Sequence, residues 1–245
     1  MPKPVATPEQ KAEAARRICA RLKNLGRPGQ VIRVMRVGQG SRPHVAVVRI
    51  GGSDYVLKDH AGCDRWFARL LGPLLARREA RALRLLSDVP GVPGFAGFLD
   101  RRAFLMEQVD AQPYRRINQD EAEWAVFFGR LESMIGEMHR KGITHCDLRS
   151  HDNTLVDANG NPAVVDFVAS FRRGRAWNLP AAWLFRRLCQ VDISAMDKQK
   201  QTVAPGLFRS GTTPYNREDE GLLARSARNL GVGVRKLARR LFTGS

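Results

Sequence analysis

The sequence is short of several things at once, and each shortage excludes something. No apolar run approaches the ~20 residues that a membrane-spanning helix needs. The opening MPKPVATPEQ lacks the apolar core of a signal peptide, so the expectation is a protein made and kept in the cytoplasm. Cysteine is sparse: Cys19, Cys63, Cys146 and Cys189 lie far apart, form no CxxC pair and read as free thiols of a reducing compartment. His60-x-x-Cys63 and His145-Cys146 find no matching second pair of ligands, so structural zinc is not expected. Aromatic residues make up 7% of the chain and read as core, which leaves no base-stacking platform for RNA. Internal repeats and low-complexity linkers are absent. Acids are outnumbered, 24 against 41 Lys and Arg.

What is abundant is positive charge. The net charge of +17 implies an anionic partner: nucleic acid, an acidic membrane surface, or a phosphorylated or carboxylated substrate. Its distribution is uneven. Residues 171–188 hold Arg172, Arg173, Arg175, Arg186 and Arg187 with no acid, and residues 221–245 hold six basic residues, again with none. A hydrophobic share of 43% is that of a globular chain, and 245 residues suffice for one large domain or two small lobes sharing a cleft.

Local patterns divide the chain in two. Thr7-Pro8-Glu9-Gln10 is a helix start, with Thr as N-cap, Pro in the first turn and Gln at the third position; that helix should stop at Gly26. VIRVMRV (31–37), HVAVVRI (44–50) and YVLK (55–58), joined by Gly-containing turns, predict an antiparallel meander. A helical period covers 65–86, and strands are expected at 94–99 and 103–109. In the second half Asn118 and Glu121 read as a capping pair. Behind them Trp124, Phe127, Phe128, Leu131, Met134, Ile135 and Met138 recur at spacings of three and four, and Gly142 ends the helix. A short strand at 154–156, a turn and the strand AVVDF follow; the rest looks helical.

Several motifs fall in order on these elements. Gly38-x-Gly40-x-x-Pro43-x-Val45 joins the first two strands. Lys58 ends the third, and Glu79 is the acid on the following helix. Gly142-Ile143-Thr144-His145-Cys146-Asp147-Leu148 leads to Asn153, and Val164-Val165-Asp166-Phe167-Val168 closes the series 19 residues after Asp147. This order resembles the protein kinase-like superfamily over roughly 31–170. The implied fold is α+β and bilobal: an N-terminal helical extension (1–30), a small antiparallel-sheet N-lobe (31–112) and a compact helical C-lobe with a basic C-terminal helix (113–245). The resemblance implies nucleotide contacts at Gly38, Gly40, Val45, Lys58, Glu79 and Glu107, with Lys58 bridging phosphates and pairing with Glu79. Asp147 is the implied catalytic carboxylate, His145 a structural support, and Asp166 a ligand of Mg2+ (or Mn2+) on ATP. Asn153 stands six residues after Asp147, where kinases have five, so Asp152 and Asn153 both stay open as the second metal ligand. Pro43 replaces the third glycine, Cys146 the arginine of HRD, and Val168 the glycine of DFG.

Beyond Phe171 no APE motif occurs. HCDLRSHDN, VDFVASF and RRGRAWNLPAAWLFRRLC resemble RIO-type atypical kinases and, more closely, bacterial lipopolysaccharide core kinases that act on heptose or Kdo. That resemblance implies a sugar hydroxyl of an anionic glycolipid as acceptor, handled at the inner membrane. Arginine forks suit its phosphates and carboxylates. An antibiotic phosphotransferase for cationic aminoglycosides would want an acidic site. Leu223, Ala227, Leu230, Val234, Leu237 and Leu241 form a stripe among arginines, either a membrane-surface helix or one packed on the C-lobe. A RIO-like Ser/Thr protein kinase or ATPase, with RNA as the anionic partner, and a pseudokinase that binds without turnover are the other readings.

Overall fold

The computed structural model of the chain describes residues 6–175 and 177–207. Two compact units divide it. One comprises the described residues up to Ala111 together with Ala163–Ser170, the other Gln112–Pro162 and the described residues from Phe171 onward.

In the first unit, α1 (Pro8–Asn24) starts on the box read from the sequence. Gln10 N–H donates to Thr7 Oγ1, and Thr7 N–H donates to Gln10 Oε1. Ala14, Ile18 and Leu22, one turn apart, form its buried face and pack with Val34, Ala46, Val48, Leu57 and Leu105. These come from a five-stranded antiparallel sheet: β1 (Gly29–Arg36), β2 (His44–Ile50), β3 (Ser53–Asp59), β4 (Phe95–Asp100) and β5 (Ala103–Glu107), in the order β1-β2-β3-β5-β4. Alternation along β2 and β3 sets opposite partners, Val45 against Lys58, and Lys58 is in turn opposite Phe104 of β5.

The helix expected over 65–86 is two helices, α2 (Arg65–Leu70) and α3 (Gly72–Leu85). Pro73 is the reason: it has no N–H to give the preceding turn, and it sits in the first turn of a new helix, where none is needed. α3 places Ala76, Glu79, Ala80 and Leu83 on its buried face.

The second unit begins within β6 (Ala111–Pro113), after which α4 (Glu121–Arg140) forms its core. Its N-cap is Asp120, not Asn118. Asp120 Oδ1 accepts from Glu123 N–H at 2.8 Å, and Glu123 Oε2 accepts from Asp120 N–H at 3.0 Å. Both pairs have the capping spacing, but Asp120 is the one whose backbone is extended at the helix start. Trp124, Phe127, Phe128, Leu131, Met134, Ile135 and Met138 are all buried. Gly142, at φ +78°, turns the chain into β7 (Ile143–Thr144). The hairpin strands β8 (Thr154–Asp157) and β9 (Pro162–Val164) follow, and the chain re-enters the first unit within β9. The strand expected through Phe167 stops at Val164, because Asp166 adopts a left-handed conformation (φ +70°) and starts a 3-10 turn. β10 (Phe171–Arg172) pairs with β7, and α5 (Leu179–Val203) completes the unit. No described helix is long and apolar enough to cross a membrane. The stripe Leu223–Leu241 lies outside the described residues.

One polar contact ties α1 to the sheet. Arg21 lies 2.8 Å from Asp59 and 2.7 Å from Asp100, and Asp59 is only 1% exposed. Removing the cation leaves a buried carboxylate uncompensated, which typically costs about 3–5 kcal/mol. Arg21→Ala should therefore lower the urea midpoint sharply, and adding Asp59→Asn should recover part of the loss.

Candidate active site

The first unit buries one ammonium group among carboxylates. Lys58, the penultimate residue of β3, is 3% exposed, and Glu79 on α3 is 0% exposed. Lys58 Nζ donates to Glu79 Oε1 and Oε2 at 2.8 and 2.7 Å, and to Asp166 Oδ1 at 2.6 Å. A lysine has three donor hydrogens, so its capacity is filled. Burial alone would depress the Lys58 pKa, but the charges of Glu79 and Asp166 outweigh it and the pKa rises. Burial raises the Glu79 pKa, Lys58 opposes that and Asp166 reinforces it; a backbone hydrogen bond at Phe167 also favours the charged form. Both directions express one fact: two carboxylates share the Lys58 cation.

α3 grips the same region a second time. Arg78, beside Glu79 in sequence, donates through Nε to Ser170 O at 2.7 Å and through Nη2 to Ala169 O at 2.9 Å. It thereby fixes the 3-10 turn that follows Asp166. Nothing in the sequence separates Arg78 from the five other arginines of residues 65–84.

The glycine turn between β1 and β2 is held by its neighbours. Gly38 N–H donates to His44 Nδ1 at 2.9 Å, and a Cβ on Gly38 would meet Gly62 O at 2.6 Å. Gly40 has φ +61°, and its carbonyl accepts from Asp64 N–H at 2.9 Å. Burial lowers the His44 pKa despite Asp59 nearby, which favours the neutral ring that an accepting Nδ1 requires. Pro43, where a third glycine would stand, is buried. Val45 lies opposite Lys58, whereas Glu107 is exposed at the end of β5, with its carboxylate 3.3 Å from Gly94 N.

The second unit holds the other group. Asp147 is exposed, while His145, two residues before it, is 0% exposed and accepts Asp147 N–H on Nδ1 at 3.2 Å. The extra residue before Asn153 is absorbed by two tight turns: Ser150 N–H donates to Asp147 O, and Asn153 N–H to Ser150 O. Asn153 thus faces back, its Nδ2 donating to Asp147 O at 2.9 Å and Asp147 Oδ2 at 3.3 Å. Asp152 points to solvent instead.

Asp192 on α5 was not singled out from the sequence, yet it organises this loop. It is 0% exposed and accepts His145 N–H and Cys146 N–H, each at 2.7 Å, while His139 Nε2 lies 3.0 Å away. Cys146 has a left-handed backbone (φ +64°), a conformation that non-glycine residues hold only under outside support, and Asp192 provides it. A signal existed: Asp192 is the first acid after Asp166. Burial pushes the His139 pKa down, but hydrogen bonds to Asp192 and Cys189 overcome this and raise it to about 9.

A strand lysine, a helix glutamate, an exposed loop aspartate with an asparagine beside it and a post-strand aspartate, in this chain order, mark a phosphotransferase of protein kinase-like fold. The chain belongs to the Phosphotransferase enzyme family (APH), which it matches over residues 2–171, a span that takes in α1 as well as the motifs. Phosphoryl transfer to a hydroxyl acceptor follows from that membership. Among solved structures it is similar to the Rio2 kinase of Chaetomium thermophilum. The ADP/Mg2+-phosphoaspartate complex matches with TM-score 0.58 at 17% identity, covering 95% of this chain and 78% of that one. A second Rio2 crystal structure matches with TM-score 0.54 at 19% identity, covering 92% and 77%. No curated protein gives a significant match.

Two outcomes follow from the electrostatics. Lys58→Met leaves Glu79 buried without its cation, so unfolding free energy at neutral pH should fall by about 3 kcal/mol. Urea titration of that variant should show stability returning as pH drops and Glu79 takes a proton, and Lys58→Met/Glu79→Leu should recover most of it. The His139 imidazolium, with its pKa raised from 6.5 to about 9, contributes fully below pH 6.5 and not at all well above 9. That contribution is on the order of 3 kcal/mol. Melting curves from pH 6 to 10 should show the decline in the parent chain and a flatter profile in His139→Gln.

Proposed function

We propose that the chain is an ATP- and Mg2+-dependent kinase that phosphorylates a sugar hydroxyl of a lipopolysaccharide core glycolipid at the inner face of the cytoplasmic membrane. The acceptor half of this reading rests on one observation above all: the exposed arginines at 172, 173, 175, 186 and 187, with no acid among them. Such forks suit the phosphates and carboxylates of an anionic glycolipid and would repel a cationic substrate.

The donor half rests on the two residue groups. Lys58 would bind the α and β phosphates through its ammonium, with Glu79 keeping that group charged and oriented. Backbone N–H groups at Gly38 and Gly40 would approach the phosphates without intervening side chains. Asp166 and Asn153 are the residues we assign to the metal. The fit is supported by Asn153, whose Nδ2 is committed to Asp147 while its Oδ1 accepts no hydrogen bond among the described residues. Bound Mg2+ supplies neutralisation of the phosphate charge during transfer. Asp147 Oδ would accept the hydrogen bond of the acceptor hydroxyl, orient it and take up its proton. Asp152, exposed and turned outward, has no part in this assignment.

A RIO-like protein kinase or ATPase is the second reading, and the likeness to the Rio2 crystal structures favours it. Transfer of labelled γ-phosphate from Mg2+-ATP to purified core glycolipid, with a generic protein acceptor in parallel, separates the two. Label is expected in the glycolipid, reduced about a hundredfold or more in Asp147→Asn. Label in protein alone would replace the sugar-kinase reading with the RIO-like one. ATP binding without transfer to either would point to a pseudokinase.

A further inference from the structure

The segment from β10 into α5 combines two features that water alone does not reward. Trp177 is 75% exposed, Leu179 72% and Trp183 39%. On α5 the residues Leu179, Trp183, Arg186, Gln190 and Ile193 recur at spacings of four and three, which puts them on one stripe. The inward face of the helix is already used by Phe185, Asp192, Ala195, Met196 and Gln199. No described residue covers the outer stripe, and Ile193 too is 37% exposed. Around it the arginines at 172, 173, 175, 186 and 187 are all exposed, and none forms an ion pair with a described residue. The guanidinium of Arg187 lies 5.7 Å from the centroid of the Trp183 ring.

We propose that this basic, tryptophan-bearing face of β10 and α5 docks the protein on an anionic lipid bilayer, with Trp177, Leu179 and Trp183 entering the headgroup boundary and the arginines on lipid phosphates. Tryptophan suits that boundary because its ring is apolar and its N–H is polar. Leucine gains only by leaving water, so its place on the stripe speaks for acyl chains over nucleobases, which need flat rings to stack on. Five cations without counter-charges among the described residues supply the attraction to anionic headgroups, at roughly fivefold in partitioning for each one near the surface. The face deepens the glycolipid reading, since it would hold the enzyme where such an acceptor resides, but it depends on no catalytic step and is tested without ATP or acceptor.

The test is flotation of the full-length protein with vesicles of equal parts phosphatidylcholine and phosphatidylglycerol, against vesicles of phosphatidylcholine alone. Binding is expected only to the first. Trp177→Ser/Trp183→Ser, which keeps the charge, should weaken it at least tenfold, and so should Arg172→Gln/Arg173→Gln/Arg175→Gln, which keeps the aromatics. Brominated acyl chains should quench tryptophan fluorescence in the parent chain and much less in the double tryptophan variant. Unchanged melting temperatures, expected for exposed positions, show that both variants are folded. Equal binding by parent and variants would assign the membrane to another basic segment and overturn the proposal, as would binding to polyuridylate with none to anionic vesicles. Vesicle binding with the expected variant losses upholds the face even if core glycolipid is not phosphorylated, so its fate is separable from that of the acceptor assignment.

Discussion

The buried ammonium of Lys58 is the constraint around which the first unit is arranged. A lysine taken out of water is tolerated only when its charge is matched and all its hydrogens are placed. Matching it takes Glu79 from α3 and Asp166 from a segment 108 residues further along the chain. Every element that supplies a member of the cluster is thereby positioned: β3 must pair in register with β2 and β5, α3 must present Glu79 inward, and the turn after Val164 must go left-handed. Arg78 adds a neutral-acceptor grip to the charged one, so α3 holds the Asp166 segment through backbone carbonyls as well as through the shared cation. The position of α3 and the direction of the Asp166 carboxylate are one structural variable.

The second unit solves a different problem by similar means. Its loop carries an exposed aspartate that must be held still without being buried. The support comes from beneath: a fully buried carboxylate, Asp192, takes two consecutive backbone N–H groups and a histidine. Charge-assisted hydrogen bonds of this kind are stronger than neutral ones, and burial keeps water from competing for them. The strained backbone of Cys146 is held there, one residue before Asp147.

Much of this was legible in the sequence because it is written locally. The meander of β1 to β3, the capping box at Thr7 and the buried stripe of α4 each rest on residues within one or two turns of one another. The motif order from Gly38 to Asp166 was legible too, as was the pairing of Lys58 with Glu79, whose partners are 21 residues apart. What escaped depends on distance or on choosing among equals. Asp192 acts across 46 and 47 residues, Arg78 across 91 and 92, and neither belongs to a pattern that spacing can display. Asn118 and Asp120 offered the same capping spacing, and only the phase of the packed helix decides between them. The break at Gly72-Pro73 is marked by the proline, but a continuous apolar period runs across it and masks the restart.

The division of the chain has a consequence for how the protein is made. The first unit is not contiguous: it needs residues 163–170, which are synthesised only after the second unit's Asp147 loop and its core helix α4. A nascent chain that has emerged as far as Ala111 carries Lys58 and Glu79 but not Asp166. Until the later segment arrives, one donor of the ammonium lacks its carboxylate and the carbonyl acceptors of Arg78 do not exist. Because closing so long a loop is slow compared with forming a hairpin or a helix, the Lys58 cluster is the last part of its own unit to be finished. Synthesis therefore orders the assembly: scaffold first, buried charge cluster last.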